Sequence, residues 1–336
     1  MSAAETTFIR KLLGILEIQL KFENVTGLIV RYPLAKAKVG GIDIMPMIVQ
    51  KYYEGVGIEL SVPYIPGSSF KGRMRSLLEL YLALPLWDPA KKIFQHIVPP
   101  PRPPRQQPTQ EELIRIRLFS DYSTHAFNQL FGINAVHFSS LVEIYTKQPN
   151  LLKRKPEEYF RDMAPTRLYV EDFFPSEEYV SKLYESKKAL GLLLTQDDFL
   201  EHKPENRIDR ITSAADPRDI LRIRPGVEFS GKVSIVFFDC DYDSRIQEYL
   251  KLFVTGLELI EDTYIGGAGS RGYGRIRFKN IKLILKRQEY YEGVEDPILI
   301  GEYNSLKNLR ANLSNIISTI KSHLEKTYSK LTSSQQ

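Results

Sequence analysis

The alternation of apolar and polar positions is sharpest near the start of the chain. In "LEIQLKFE", Leu16, Ile18, Leu20 and Phe22 alternate with Glu17, Gln19, Lys21 and Glu23. Successive strand side chains point to opposite faces, so this pattern predicts a half-buried strand. The turn "NVTG" and a small-residue loop, "YPLAKAKVGGIDIMP", follow it. In "PYIPGSSFKGRMRSLLELYLAL" the period changes: Phe70, Met74, Leu77, Leu78 and Tyr81 recur at helical spacing, with Ser68 or Ser69 able to cap the start. "TRLYVEDFF" predicts a short strand. "FSGKVSIVFF" predicts a longer one, with Phe229, Gly231, Val233, Ile235 and Phe237 on one face. A helix is expected over "DSRIQEYLKLFVTGLELIED", where Ile246, Leu250, Phe253, Leu257 and Ile260 form the apolar stripe. "RIRFKNIKLILK" returns to alternation, with Ile276 and Phe278 inward and Arg275, Arg277 and Lys279 outward.

The order is strand, helix, strand, strand, helix, strand. This is the α+β, ferredoxin-like βαββαβ plan, shared with RNA-recognition modules, although a fold alone does not give a function. Its two halves are placed at residues 9–85 and 165–285. Between them, 86–164 reads as an insertion with helical pieces and a proline-rich run, "VPPPRPPRQQP", expected to be an extended surface linker. Residues 286–336 read as a helical extension, with a helix from about Leu306 to Leu331.

Composition narrows the chemistry. With 43% hydrophobic residues in 336, the chain can bury a sizeable core. The single cysteine, Cys240, excludes an internal disulfide, and the five histidines lack metal-ligand spacing. No apolar run approaches the roughly 20 residues of a membrane helix, so a soluble intracellular protein is expected. The net charge of +5 favours an anionic partner only where the charge is clustered.

Two glycine patterns invite a nucleotide-binding reading. In "GGAGSRGYG", Gly267, Gly269 and Gly272 fit G-x-G-x-x-G. A dinucleotide loop needs a strand before it and a helix after it, and here the order is reversed. In "GSSFKG", Arg73 and Met74 stand where a P-loop requires Lys and then Ser or Thr, which excludes that ATPase motif. Two readings of the first loop remain open: a plain helix-to-strand turn, or backbone N–H groups with Arg271 that meet a phosphate or sugar. Lys71, Arg73 and Arg75 lie in the first turns of a helix, where the dipole is already positive, and a bound anion would reverse that cost. The segment 203–226 carries Arg207, Arg210, Arg218, Arg222 and Arg224 interleaved with aspartates, which also suits a solvated, salt-bridged hairpin.

Taken together, "GGID", "YIPGSSFKGRMRSLLE", "ENRIDRITSAADPR" and "YIGGAGSRGYGRIRF" occur in an order that resembles the RAMP-superfamily backbone subunit of type III CRISPR effector complexes, most closely the repeated backbone subunit of the type III-A (Csm) complex. The resemblance implies a modified ferredoxin-like palm, subunits stacked along a guide CRISPR RNA beside other subunits of the complex, and a complementary single-stranded target RNA. It implies a protruding thumb at 203–226 that displaces bases. It further implies RNA contacts at Ser68, Ser69, Lys71, Arg73, Arg75, Arg207, Arg210, Arg218, Gly266, Gly267, Gly269 and Arg271. The family's catalytic aspartate maps onto Asp43, where it would support target cleavage with Mg²⁺ or Mn²⁺ held also by RNA phosphate oxygens and water. By the same resemblance the protein is cytoplasmic and prokaryotic. The usual histidine after the first strand is replaced by Ile29, with Arg31 nearby. A purely structural, RNA-binding subunit is the alternative. A stand-alone guide-processing ribonuclease is disfavoured by the thumb and "GGID".

Overall fold

The computed structural model describes residues 9–31, 44–88, 92–105, 108–163 and 165–333. Its strands are β1 (Leu12–Asn24), β2 (Ile48–Tyr53), β3 (Ile58–Pro63), β4 (Leu168–Val170), β5 (Phe174–Pro175), β6 (Leu200–Ile208), β7 (Ala215–Ile223), β8 (Glu228–Phe238), β9 (Ile276–Arg287) and β10 (Ile298–Tyr303). The α-helices are α1 (Gly67–Tyr81), α2 (Gln110–Tyr122), α3 (Ala126–Phe131), α4 (Phe138–Lys147), α5 (Pro156–Asp162), α6 (Glu177–Ala189), α7 (Arg245–Asp262), α8 (Gln288–Tyr291), α9 (Leu306–Ala311) and α10 (Leu313–Ser333).

The result is a mixed α/β structure around an antiparallel sheet ordered β10-β9-β1-β8-β4, with β5 also on β8. β1 lies at the centre, and its alternation is kept: Leu16, Ile18, Leu20 and Phe22 are buried, while the intervening polar residues are half-buried. Register places Phe22 opposite both Phe229 and Phe278. Its ring is 5.2–6.2 Å from those of Phe70, Phe173, Phe229 and Phe278, an aromatic centre that joins sheet and helix. α1 packs on α7 through Met74 and Leu78 at Gly256, where a Cβ would stand 2.6 Å from Met74 Cγ. The α7 stripe is buried as its period requires.

Several local expectations change. Neither Ser68 nor Ser69 caps α1; its N-cap is Pro66, and the Gly67 N–H donates to Asp172 Oδ1 at 2.8 Å, a partner 105 residues away. Tyr81 is exposed, because the helix ends there and its last turn leaves the core. "TRLYVEDFF" splits into β4 and β5. β2 and β3 form a hairpin that the small-residue loop did not announce.

The proline-rich run is not a surface linker throughout. Val98, Pro99 and Pro101 are buried, and Val98 joins a core separate from the main one, with Ile116, Phe119, Leu141, Ile144, Leu152 and Tyr159. A polyproline segment can cover a core because its fixed φ carries little entropic cost of ordering. The buried His96 seats this region. Its Nδ1 lies 2.9 Å from the Pro85 carbonyl and its Nε2 lies 2.9 Å from Asn128 Nδ2; burial pushes its pKa down, which keeps it neutral. The tail is not wholly helical, since β10 adds an edge strand to the sheet. The helix expected from Leu306 is interrupted at Asn312, between α9 and α10.

Candidate nucleic-acid interface

Three segments meet beside the end of α7: residues 25–31 after β1, the glycine loop 264–275, and the foot of the β6–β7 hairpin. Their meeting point is a small apolar cluster of Ile29, Ile220 and Tyr273, with Ile44 and Ala268 against it.

Most glycines of the loop answer to the chain itself. Gly266 has φ +81°, and a Cβ there would stand 2.3 Å from the Ile29 carbonyl oxygen. The next N–H, of Gly267, donates to that same oxygen at 2.8 Å. Gly274 has φ +74° with the Ile265 oxygen 2.0 Å from a Cβ, and its N–H donates to Gly27. A Cβ on Gly269 would strike the Tyr264 ring at 2.1 Å. Close approach within the protein therefore accounts for Gly266, Gly269 and Gly274, a correction to the reading in which a ligand imposes them. Gly272 is different: φ is +83° and nothing lies within 4 Å of a Cβ. Beside it Arg271 is exposed, so the outer surface of the loop is Ser270, Arg271 and Gly272.

The basic residues of α1 do not converge on one anion. Lys71 donates to the Leu168 carbonyl at 2.7 Å, and burial pushes its pKa down to about 8. Arg73 turns to the glycine loop. Its Nε donates to the Tyr264 carbonyl at 3.0 Å, Nη2 to Thr263 Oγ1 at 3.3 Å, and its guanidinium stacks 3.9 Å from the Tyr264 ring centroid. Arg75 faces the inserted region, donating to Glu79 and to the His96 carbonyl. Lys71 and Arg75, four positions apart, share one side of the helix and Arg73 lies on the other, and each of the three finds a partner within the chain. Of this stretch Ser68 is exposed and Ser69 half-buried.

The hairpin retains free charge. β6 and β7 pair from Leu200↔Ile223 to Ile208↔Ala215. The face carrying Glu201, Lys203 and Glu205 is half-buried; Arg207 continues it, exposed, in a 2.6 Å pair with Asp216. In the turn, Asp209 accepts from the N–H groups of Ile211 and Thr212 at 2.8 Å, and those bonds hold its carboxyl below the usual range. Ile211 is 94% exposed at the tip, with Arg210 exposed beside it. Arg218 is half-buried one rung below the Asn206↔Pro217 pair.

Asp43 lies outside the described residues. Its neighbour Ile44 bridges to Ile220 and accepts from the Leu221 N–H at 3.0 Å, at the foot of the hairpin. Ile29 is 2% exposed between Ile220 and Tyr273, a packing position rather than a polar one; Arg31 is exposed, its Nε 3.9 Å from where a Cβ on Gly267 would stand. The sequence reading missed Asp172, Tyr264 and Tyr273. An aromatic residue inside a glycine-rich loop was the available signal for Tyr273.

Comparison with known proteins gives a consistent answer. The profile of the RAMP superfamily matches residues 55–277, which include the hairpin and the glycine loop. The chain is 33% identical over 249 residues to the CRISPR system Cms endoribonuclease Csm3 of Methanothermobacter thermautotrophicus, covering 74% of this chain and 80% of that protein. It is 38% identical over 156 residues to the protein of the same name from Methanocaldococcus jannaschii, covering 45% and 56%. A crystal structure of a Csm3–Csm4 subcomplex of the type III-A CRISPR-Cas interference complex aligns over 90% of this chain and 97% of that one, with 22% identity and a TM-score of 0.43. With two thirds of its length matched by one profile and a relative of this identity aligned over most of its length, the chain belongs to the RAMP superfamily.

Proposed function

We propose that this chain is a backbone subunit of a type III CRISPR interference complex, which binds guide RNA and cleaves complementary target RNA. The observation that carries the reading is that relatives at 33% and 38% identity are endoribonucleases by name, and the family match spans both surfaces described above. The strand order β9-β1-β8-β4, with α1 and α7 packed together, supports a ferredoxin-like palm. β6–β7 is its thumb, with Ile211 as an apolar wedge and Arg210 and Arg218 for phosphates. On the palm, Ser68, Gly267 and Arg271 face the guide. Lys71, Arg73 and Arg75 support that surface from behind rather than touching RNA.

Asp43 is the catalytic residue in this proposal. No cluster of three or more His, Cys, Asp or Glu suited to a metal occurs among the described residues, so those residues do not by themselves fit a protein-held cation. A divalent Mg²⁺ or Mn²⁺ would need RNA oxygens and water beside Asp43. Bound there, it would supply charge for the cleaved phosphate. No described helix is long and apolar enough to cross a membrane.

The test is cleavage of a complementary RNA by the assembled complex carrying Asp43→Ala, with and without chelator. Loss of cleavage with guide binding intact is the expected result. Cleavage at every site by the variant would overturn the catalytic assignment and leave an RNA-binding scaffold. Undiminished cleavage in excess chelator would remove the metal from the reading.

A further inference from the structure

The β6–β7 hairpin is a lever held at one end. At its foot Ile223 exchanges hydrogen bonds with Leu28 at 2.9 and 3.0 Å, Leu221 donates to Ile44, and Arg224 donates to Phe199. Farther out, among the described residues, a single side-chain bond ties it to the body: the Tyr273 hydroxyl on the Glu205 carboxylate. Beyond that point every hydrogen bond and ion pair described for residues 206–217 stays within the hairpin. Tyr273 is itself fixed. It is fully buried beside Ile29 and Ile220, with the Lys203 ammonium 4.4 Å and the Arg222 guanidinium 4.9 Å from its ring centroid. Two glycines allow the close packing around it: Gly274 lies against the Ile265 carbonyl, and Gly27 leaves room for the Arg222 side chain.

We propose that Tyr273 is a positioning residue that sets where the hairpin tip stands relative to the glycine loop, with its bond to Glu205 as the fulcrum. The proposal rests on the functional reading above. If the glycine loop registers the guide and the tip displaces target bases, one side chain couples the two. At roughly 3.3 Å per strand residue the tip lies about 15–20 Å beyond Glu205, so a tilt of about 10° moves it about 3 Å, close to one base step of about 3.4 Å. A loosened fulcrum would therefore blur the position of the cut as well as its rate.

Two measurements decide it. The first maps cleavage of complementary RNA at nucleotide resolution in assembled complexes of wild type, Tyr273→Phe and Glu205→Gln. Tyr273→Phe removes only the hydroxyl. The expected result is cuts at neighbouring phosphodiesters and a rate at the usual sites reduced about tenfold, with guide retained to within about twofold; Glu205→Gln, which keeps an acceptor, should be intermediate. Unchanged positions, whether at an unchanged or a uniformly lowered rate, would overturn the proposal. The second measurement needs no cleavage. Spin labels at Ile211→Cys on the tip and Lys251→Cys on α7, with Cys240→Ser so that only these two thiols react, report the tip distance in the full chain. Tyr273→Phe should broaden that distribution, and an unbroadened one overturns the lever. A wild-type complex that does not cut, or an Asp43→Ala complex that does, counts against the functional reading alone.

Discussion

Two basic regions of this protein look alike in sequence and are opposites in structure. The start of α1 and the segment 203–226 both place arginines and lysines close together. In α1 the cations are consumed by the protein, Lys71 by the Leu168 carbonyl, Arg73 by Thr263 and Tyr264, and Arg75 by Glu79 and His96. In the hairpin Arg222 is likewise held near the foot by Glu201, but beyond Glu205 Arg207 and Arg210 stand in solvent, Arg207 paired with Asp216 of the opposite strand. A helix interior points successive residues in different directions into a packed body, where an unpartnered cation would be costly. A two-stranded ribbon projecting from the body has solvent on most sides and imposes no such cost. Charge density along a sequence therefore marks a ligand surface only where the local structure leaves the charge unspent.

The contrast can be broken at several points. The largest effect is expected at Arg73→Ala, which removes two hydrogen bonds and a stacked guanidinium from the α1–glycine loop contact and should destabilise by about 2–4 kcal/mol in urea unfolding. Equal stability of variant and wild type would return Arg73 to the RNA-facing set. Next, Gly266→Ala must hold φ +81° against the Ile29 oxygen and should cost about 2–3 kcal/mol, whereas Gly272→Ala, at φ +83° in open space, should cost only about 1 kcal/mol. Similar losses at the two sites would show that the loop's close approaches do not shape it.

Lys71 offers a test through pH. Burial lowers its folded pKa to about 8 from the ordinary 10.5, so between these values the unfolded chain binds more protons than the folded one. Its contribution to stability therefore rises as pH climbs from about 8 to 10.5, and is least favourable below 8 where both states are charged. Lys71→Met should remove that rise, so that the variant's unfolding free energy climbs less steeply than the wild type's across the window. A parallel pair of curves would mean that Lys71 is solvated after all.

The smallest stability effects belong to the hairpin tip. Arg210→Ala and Ile211→Ser should leave stability within about 0.5 kcal/mol of wild type. Arg210→Ala should nevertheless flatten the dependence of log affinity for single-stranded RNA on log salt by about 0.7. An unchanged slope would show that this arginine meets no phosphate.

How far the sequence could be read follows the range of the interactions involved. The central strands and the two long helices are legible because their evidence is local: alternation in β1, β8 and β9 and a 3.6-residue stripe in α7 report which face is buried. The edge elements were less so. β10 carries a mixed, half-exposed pattern, and β2–β3 pair mostly with each other, so neither leaves a clear stripe. The glycine loop could be located from its spacing, and its place between a helix and a strand dismissed the dinucleotide reading.

What only the tertiary structure decided was the use of each residue. Asp172 serves α1 from 105 positions away, Tyr273 reaches Glu205 across 68, and Ile29 sets the need for Gly266 from a segment more than two hundred residues earlier. The sequence by itself determined the order of the central elements and where glycine and charge accumulate, since periodicity and composition are properties of neighbours. It could not say which cations would be spent and which left exposed, because that depends on which carbonyls and rings folding brings within about 3 Å.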